Sequence, residues 1–253
     1  MNQASKAQTF KEMHKKGDPI VLYNIWDAGS AKTIVQAGAS AVATGSWSVA
    51  AAQGYKDGHG IPLDFVLQIV KRIALTVDVP VSIDFEGAYA DSASDVRKNV
   101  AQIINAGAIG INFEDQIVGG QGLHPISEQV ARIEAARKAA EDAGIPLFIN
   151  ARTDLFLKAP KDADHSELLD ETFERANAYS DAGADGFFVP GLTDLGLIQK
   201  VTSQVALPVN VMMMGPLSSP KVAAECGVSR VSYGPQPFRK AMGDLSNSFQ
   251  ELA

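Results

Sequence analysis

One phrase recurs along the 253-residue chain: a helical pattern closes on a small residue followed by glycine, and a strand-like run begins at once. It occurs at Ala37-Gly38, Ala106-Gly107, Ala143-Gly144, Ala182-Gly183 and Cys226-Gly227. Glycine just past a helix takes the left-handed conformation that turns the chain back onto a sheet. Two further returns use proline, at Val79-Pro80 and Leu207-Pro208. With an opening strand, the phrase makes eight strand–helix units, the count of a (β/α)8 TIM-type barrel. The spacing predicts strands near 19–24, 40–44, 80–84, 109–114, 146–151, 186–189, 208–212 and 229–233, with helices over 64–75, 92–105, 127–142 and 168–182. No linker-like segment divides the chain, so a single barrel domain over 1–253 is expected.

Composition narrows the partners. A net charge of −7 argues against nucleic acid or an anionic membrane surface. No apolar run reaches the ~18 residues of a spanning helix, and the lysine-rich start lacks the apolar core of a signal peptide. The expected location is the cytoplasm. A lone cysteine, Cys226, excludes an internal disulfide framework. Set before a helix-ending glycine, it reads as a small buried thiol.

Active sites of such barrels lie at the C-terminal ends of the strands. The predicted third strand, Val79-Pro80-Val81-Ser82-Ile83, changes abruptly to acid at Asp84-Phe85-Glu86 before Gly87. If the extended geometry persists, Asp84 and Glu86 point the same way. The fourth strand ends in Asn112-Phe113-Glu114-Asp115-Gln116. Acids gathered at adjacent strand ends repel and lose hydration unless a cation offsets them, and hard oxygen donors suit Mg²⁺. Taken singly, each acid serves equally as a helix cap or an ion-pair partner.

Other strand ends add polar groups. Gly45-Ser46-Trp47-Ser48 offers consecutive amides and a hydroxyl for an anion, or else caps the next helix. Gly54-Tyr55-Lys56-Asp57-Gly58-His59-Gly60 reads as a mobile loop in which Asp57 or His59 suits acid–base chemistry, against a solvated turn for His59. Arg152, in Asn150-Ala151-Arg152-Thr153-Asp154, is placed to clamp an anionic substrate or to pair with Glu114 or Asp154. The segment Ile117-Val118-Gly119-Gly120-Gln121-Gly122-Leu123-His124 has three glycines in four positions, which forbid a stable helix or strand and suit a lid.

In chain order, Gly45-Ser46-Trp47, Gly54-Tyr55-Lys56-Asp57-Gly58, Asp84-Phe85-Glu86-Gly87-Ala88-Tyr89, Asn112-Phe113-Glu114-Asp115-Gln116 and Asn150-Ala151-Arg152-Thr153-Asp154 resemble the isocitrate lyase / phosphoenolpyruvate mutase superfamily, over the barrel from strand two to strand five. The resemblance implies a Mg²⁺-dependent enzyme, with Mn²⁺ as an alternative ion, that makes or breaks C–C or P–C bonds in small 2-oxo or 2-hydroxy acids. It implies metal at Asp84, with Glu86 and Glu114 reaching it directly or through water. It further implies catalytic roles for Asp57, Arg152 and Glu114, with Ser46, Trp47, Arg152 and Gln121 on the substrate. A homo-oligomer is implied as well. Three departures stand out. The family's Asp-x-Asp is here Asp84-Phe85-Glu86, the lid lacks the lyases' cysteine, and little chain follows strand eight for a swapped helix. The cysteine-free lid favours an oxaloacetate decarboxylase-like lyase over isocitrate-type cleavage. Phosphonopyruvate hydrolysis or phosphoenolpyruvate phosphomutase activity is the rival, and a barrel that binds 2-oxo acids without turnover is the rival of another class.

Overall fold

The computed structural model describes residues 1–252. Eight parallel strands form one sheet: β1 (Ile20–Leu22), β2 (Val42–Ala43), β3 (Val81–Asp84), β4 (Gly110–Glu114), β5 (Phe148–Arg152), β6 (Gly186–Phe188), β7 (Val209–Met212) and β8 (Arg230–Ser232). They are hydrogen-bonded in the order β1-β8-β7-β6-β5-β4-β3-β2. Beyond the ends of the two outer strands, a single parallel bridge between Ile25 and Thr44 closes the ring. The (β/α)8 barrel read from the sequence is therefore the observed fold. The strands are shorter than expected, β2 most of all, because pairing stops where the loops splay away from the barrel.

The long helices α4 (Leu63–Thr76), α5 (Ala93–Asn105), α6 (Ile126–Asp142) and α8 (Leu169–Asp181) match the predicted ones to within two residues. In α5 the buried residues Val96, Val100, Ile103 and Ile104 form one stripe against the sheet. All five of the helix-ending glycines sit at positive φ. Gly107 is also a close approach, since a Cβ there would lie 2.6 Å from that of Ala74. No described helix is long and apolar enough to cross a membrane.

Two elements depart from expectation. The polar N-terminus forms α1 (Gln3–Glu12), capped by Asn2, whose side chain accepts from Ser5 N at 2.8 Å. Only Ala7 and Phe10 of this helix are buried, too few to show as periodicity, yet they plug the N-terminal mouth of the barrel. After β8, α11 (Gln236–Gln250) is a full helix whose first residues pack on Trp26 and Trp47 through Phe238. Its remaining turns are largely exposed, with Met242, Leu245 and Phe249 in a stripe.

Cys226 caps α10 (Pro220–Glu225), buried at the N-terminal end of β8 as its position suggested.

Candidate active site

The barrel interior is polar in layers. Along β4 and β5 alternate residues point inward, so Asn112 and Asn150 lie beneath Glu114 and Arg152. Asn112 is the hub. Its Oδ1 accepts from Asn150 Nδ2 at 2.8 Å and from Arg230 Nη2 at 3.0 Å, and its Nδ2 donates to Asp84 Oδ1 at 3.4 Å. Arg230 is fully buried, and burial lowers its pKa to about 9 against a weaker pull from Asp84.

Above that layer lie the predicted acids. Asp84 ends β3, held by three hydrogen bonds to Ser46 and Thr44 at the β2 end. Ser46 donates to Oδ2 from its backbone N (3.0 Å) and its hydroxyl (2.9 Å), and Asp84 N donates to Thr44 Oγ1 at 2.9 Å. Ser46 opens the short helix α3 (Ser46–Ala52), so the glycine–serine turn both starts a helix and orients a carboxylate. In this arrangement Ser46 is a ligand of Asp84. Trp47 lines the cavity and packs against Arg239, whose guanidinium lies 4.6 Å from its ring.

Extended geometry does not persist to Glu86. The strand ends at Asp84, although Glu114 N still donates to Glu86 O at 3.0 Å, and Glu86, Ala88 and Tyr89 have φ of 50°, 59° and 55°. This left-handed region is unfavourable for L-residues. The turn is clamped by Arg132, whose Nη2 donates to Gly87 O and Ala90 O, both at 2.9 Å, and by Asn99, which donates to Ala88 O. Glu86 accepts the backbone N–H of His59 at 2.6 Å, while Tyr89 N donates to His59 Nε2 at 3.2 Å. That bond makes Nε2 an acceptor, so the ring is neutral. Burial, set against Asp91, lowers its pKa to about 4. His59 therefore latches the 54–60 loop, which brings Asp57 to the cavity. The sequence alone offers this histidine only an acid–base role or a solvated turn.

Arg152 answers both alternatives left open for it. Nε and Nη2 grip Asp154 at 2.6 and 2.9 Å, and Nη1 lies 3.1 Å from Glu114 and 3.7 Å from Asp84. Burial disfavours its charge, but Glu114, Asp154 and Asp84 outweigh that and keep it protonated. Asp115 fixes this corner from behind. It accepts from Asp154 N at 3.0 Å and from Tyr179 OH at 2.8 Å, and it pairs with Arg175 at 3.1 Å.

One arginine does not balance the acids. Burial first, then the neighbouring Asp57, pushes Glu86 up to about 7. Glu114 is raised by burial against the pull of Arg152. Asp57 is raised by burial and by Asp84. Among the described residues, no three His, Cys, Asp or Glu side chains converge closely enough to cage an ion. Asp84, Glu86 and Ser46 do share a crevice of about 10 Å³, room for roughly one water. The oxygen-only donors and surplus negative charge thus fit a hard cation held by one or two carboxylates and water, the habit of Mg²⁺, rather than a three-carboxylate cage.

The segment read as a lid folds as a tight hairpin, with one antiparallel bridge between Gln116 and Leu123. Val118 packs toward Gly58 and Gly87, joining the three loops. Gln121 is exposed at the hairpin tip and is not among the residues lining the cavity. The cavity itself, about 190 Å³, is lined by the polar Ser46, Asp57, Asp84, Asn112 and Arg152 and by apolar residues that include Trp47, Leu157 and Phe188. A larger groove of about 400 Å³ between α2 (Ala28–Gln36) and α11 contains Asp27 but none of these acids. Asp27 is a helix cap, accepting from Ser30 N at 2.7 Å. The sequence reading gave no role of their own to Asn150, Arg230, Arg132 and Tyr89. The first had a signal: a polar residue two positions before a strand-end acid or arginine, as in Asn112 and Asn150.

Residues 10–253 match the family model for phosphoenolpyruvate phosphomutase, and the chain belongs to that enzyme family. Its fold superposes on a Burkholderia cenocepacia J2315 crystal structure, provisionally described as a phosphonomutase, with TM-score 0.96 and 44% identity over 100% of both chains. The 2-methylisocitrate lyase of Escherichia coli K12 is 29% identical over 94% of this chain and 81% of its own. A crystal structure of phosphonopyruvate hydrolase in complex with oxalate and Mg²⁺ shares the fold at TM-score 0.83 and 23% identity, over 98% of this chain and 86% of that one. The family spans mutases and lyases, the breadth that the motif resemblance implied.

Proposed function

We propose that this barrel is a Mg²⁺-dependent lyase that breaks a C–C bond at C3 of a small 2-oxo acid by stabilising the enolate charge left behind. The observation that carries this reading is the surplus of carboxylates at one barrel end, where Asp57, Asp84, Glu86 and Glu114 face a single arginine. Asp84, with Glu86 and Glu114 directly or through water, would hold Mg²⁺, which would supply a Lewis acid for charge growing on a 2-oxo oxygen. Arg152, fixed by Asp154, orients the substrate carboxylate with its remaining N–H groups. Ser46 holds Asp84 in register. Asp57, on the latched loop, is placed to take or give the proton, since its raised pKa brings it closer to neutral pH. The Mg²⁺ complex of the related hydrolase supports the ion assignment by analogy.

The lid contains no thiol, so isocitrate and 2-methylisocitrate are not expected substrates. The exposed stripe on α11 supports a homo-oligomer that covers it. The test is a Mg²⁺-dependent screen of oxaloacetate, phosphonopyruvate and branched malates, read as pyruvate or another 2-oxo acid released. Calorimetry of Mg²⁺ on Asp84→Ala accompanies it. Unchanged metal affinity in that variant with the fold intact would sink the assignment.

A further inference from the structure

Beneath the acids lies a cation bonded to no carboxylate. Arg230, fully buried at the start of β8, makes one hydrogen bond, from Nη2 to Asn112 Oδ1 at 3.0 Å. Its Nε and Nη1 have no partner in the protein, and its guanidinium lies 5.9 Å from the Phe10 ring. Asp84 attracts it, but only across Asn112. Burying a charge without a paired acid is costly. The cost is explained if the cation does something for the group it touches.

That group is an amide. The oxygen and N–H₂ ends of an asparagine have nearly the same shape, so packing alone does not choose between them. Nor does Asn150 decide it, because two facing amides can invert together. A guanidinium can only donate. The Asn112 atom facing Arg230 is therefore oxygen, and the Asn150 Nδ2 donor falls on the same atom at 2.8 Å. The N–H₂ end is thereby turned to Asp84 Oδ1 at 3.4 Å. A carboxylate has about four lone-pair sites. Ser46 fills both on Oδ2, Asn112 takes one on Oδ1, and Arg152 Nη1 stays 3.7 Å away.

We infer that Arg230 is a positioning residue of the metal site: it fixes the sense of the Asn112 amide, which holds Asp84 with one Oδ1 lone pair open to a cation. This rests on the Mg²⁺ reading of the same site. With the amide inverted, its oxygen would repel Oδ1 and unseat the carboxylate.

The test is a double-mutant cycle on Mg²⁺ affinity, measured by calorimetry on the full chain. Arg230→Met keeps an unbranched apolar stem beside Phe10 and removes the charge and the donors. On charge alone it should tighten Mg²⁺, since a cation under the site is gone. The inference expects the opposite, a loss of about tenfold, the worth of one hydrogen bond to a charged group. Asn112→Leu should weaken Mg²⁺ too, and in that background Arg230→Met should bring no further loss. Losses that multiply, or unchanged or tighter binding in Arg230→Met, overturn the inference while the Mg²⁺ reading survives. A measurement on the unmutated protein needs neither variant to fold. Mg²⁺ should shift the side-chain nitrogen resonances of Asn112 and Arg230 and leave those of Arg137, on the outer helix α6, in place. Unmoved Asn112 and Arg230 signals in Mg²⁺-bound protein overturn it as well. If the unmutated protein binds no Mg²⁺, the metal reading falls, and this inference with it.

Discussion

At the N-terminal mouth of the barrel, α1 inserts Phe10 edge-on against Phe148 at 5.4 Å, with His14 stacked on Phe148 at 4.1 Å. At the C-terminal mouth, Asp57, Asp84, Glu86 and Glu114 crowd one arginine and a left-handed turn is pinned from outside. Burial acts in opposite senses at these ends. Below, it removes apolar surface from water and, with the nearby Arg230, drives the pKa of His14 down to about 3, so that the imidazole stays neutral. Above, it strips hydration from Glu86, Glu114 and Asp57 and raises their pKa, the kind of cost that clusters at functional sites. One mouth is built for stability and the other stores unfavourable charge that a ligand relieves.

Truncating the plug should give the largest effect. Phe10→Ala leaves a cavity among Leu22, Ile109 and Phe148 and should cost about 3–5 kcal/mol in equilibrium unfolding, with oxalate affinity of the folded protein unchanged. A loss below about 1 kcal/mol would remove the distinction between the two ends.

The acid end should show the reverse sign. Glu86 titrates near 7 in the folded protein and near 4.5, the ordinary value of a glutamate, once unfolded. Between those values the native state holds the extra proton, so the contribution of Glu86 to metal-free stability is fully present below pH 4.5 and is lost as pH rises through 7. The loss is about 3 kcal/mol. Denaturation in chelator at about pH 5 and about pH 8 measures it, and Glu86→Gln should flatten the slope and be the more stable protein at the higher pH. A slope identical in the variant would mean the surplus charge lies elsewhere.

Arg152→Lys keeps the charge but loses the fork that grips Asp154 and the ligand. Oxalate affinity should fall by about 1.5–3 kcal/mol; no fall would leave Arg152 a purely structural ion-pair partner. The smallest effect belongs to Cys226→Ser, at the N-terminal end of β8. It should cost about 1 kcal/mol of stability through a buried hydroxyl, and leave any turnover intact. Turnover abolished by that change would place a thiol in the chemistry.

The periodic features were legible in the sequence because they depend on local rules. The helix-ending glycines set the barrel count, and the abrupt acids at Asp84 and Glu114 mark its working end. What escaped depends on contacts distant in sequence. Glu86 follows a strand residue at the right spacing, but Arg132 and Asn99 hold it in a turn. Arg230 and Asn112 are 118 positions apart, and no local pattern marks a buried arginine at the start of a strand. α1 hid because its buried face is only two residues wide. The contact expected of Gln121 rests on its place in the lid, and the hairpin closed by Gln116 and Leu123 turns it to solvent.

The bridge that closes the ring has a mechanical consequence. Ile25 N donates to Ala43 O at 2.9 Å and Gly45 N to Ile25 O at 3.2 Å, two bonds where β4 and β5 pair along five residues. This is the seam of the cylinder, and it lies next to Ser46, whose amide and hydroxyl hold Asp84. Any opening of the seam pulls those donors off the carboxylate, and any ligand that fastens Asp84 draws the seam shut. Amide exchange at Ile25 and Gly45 should therefore slow when the site is filled, making the thinnest joint of the barrel a gauge of its occupancy.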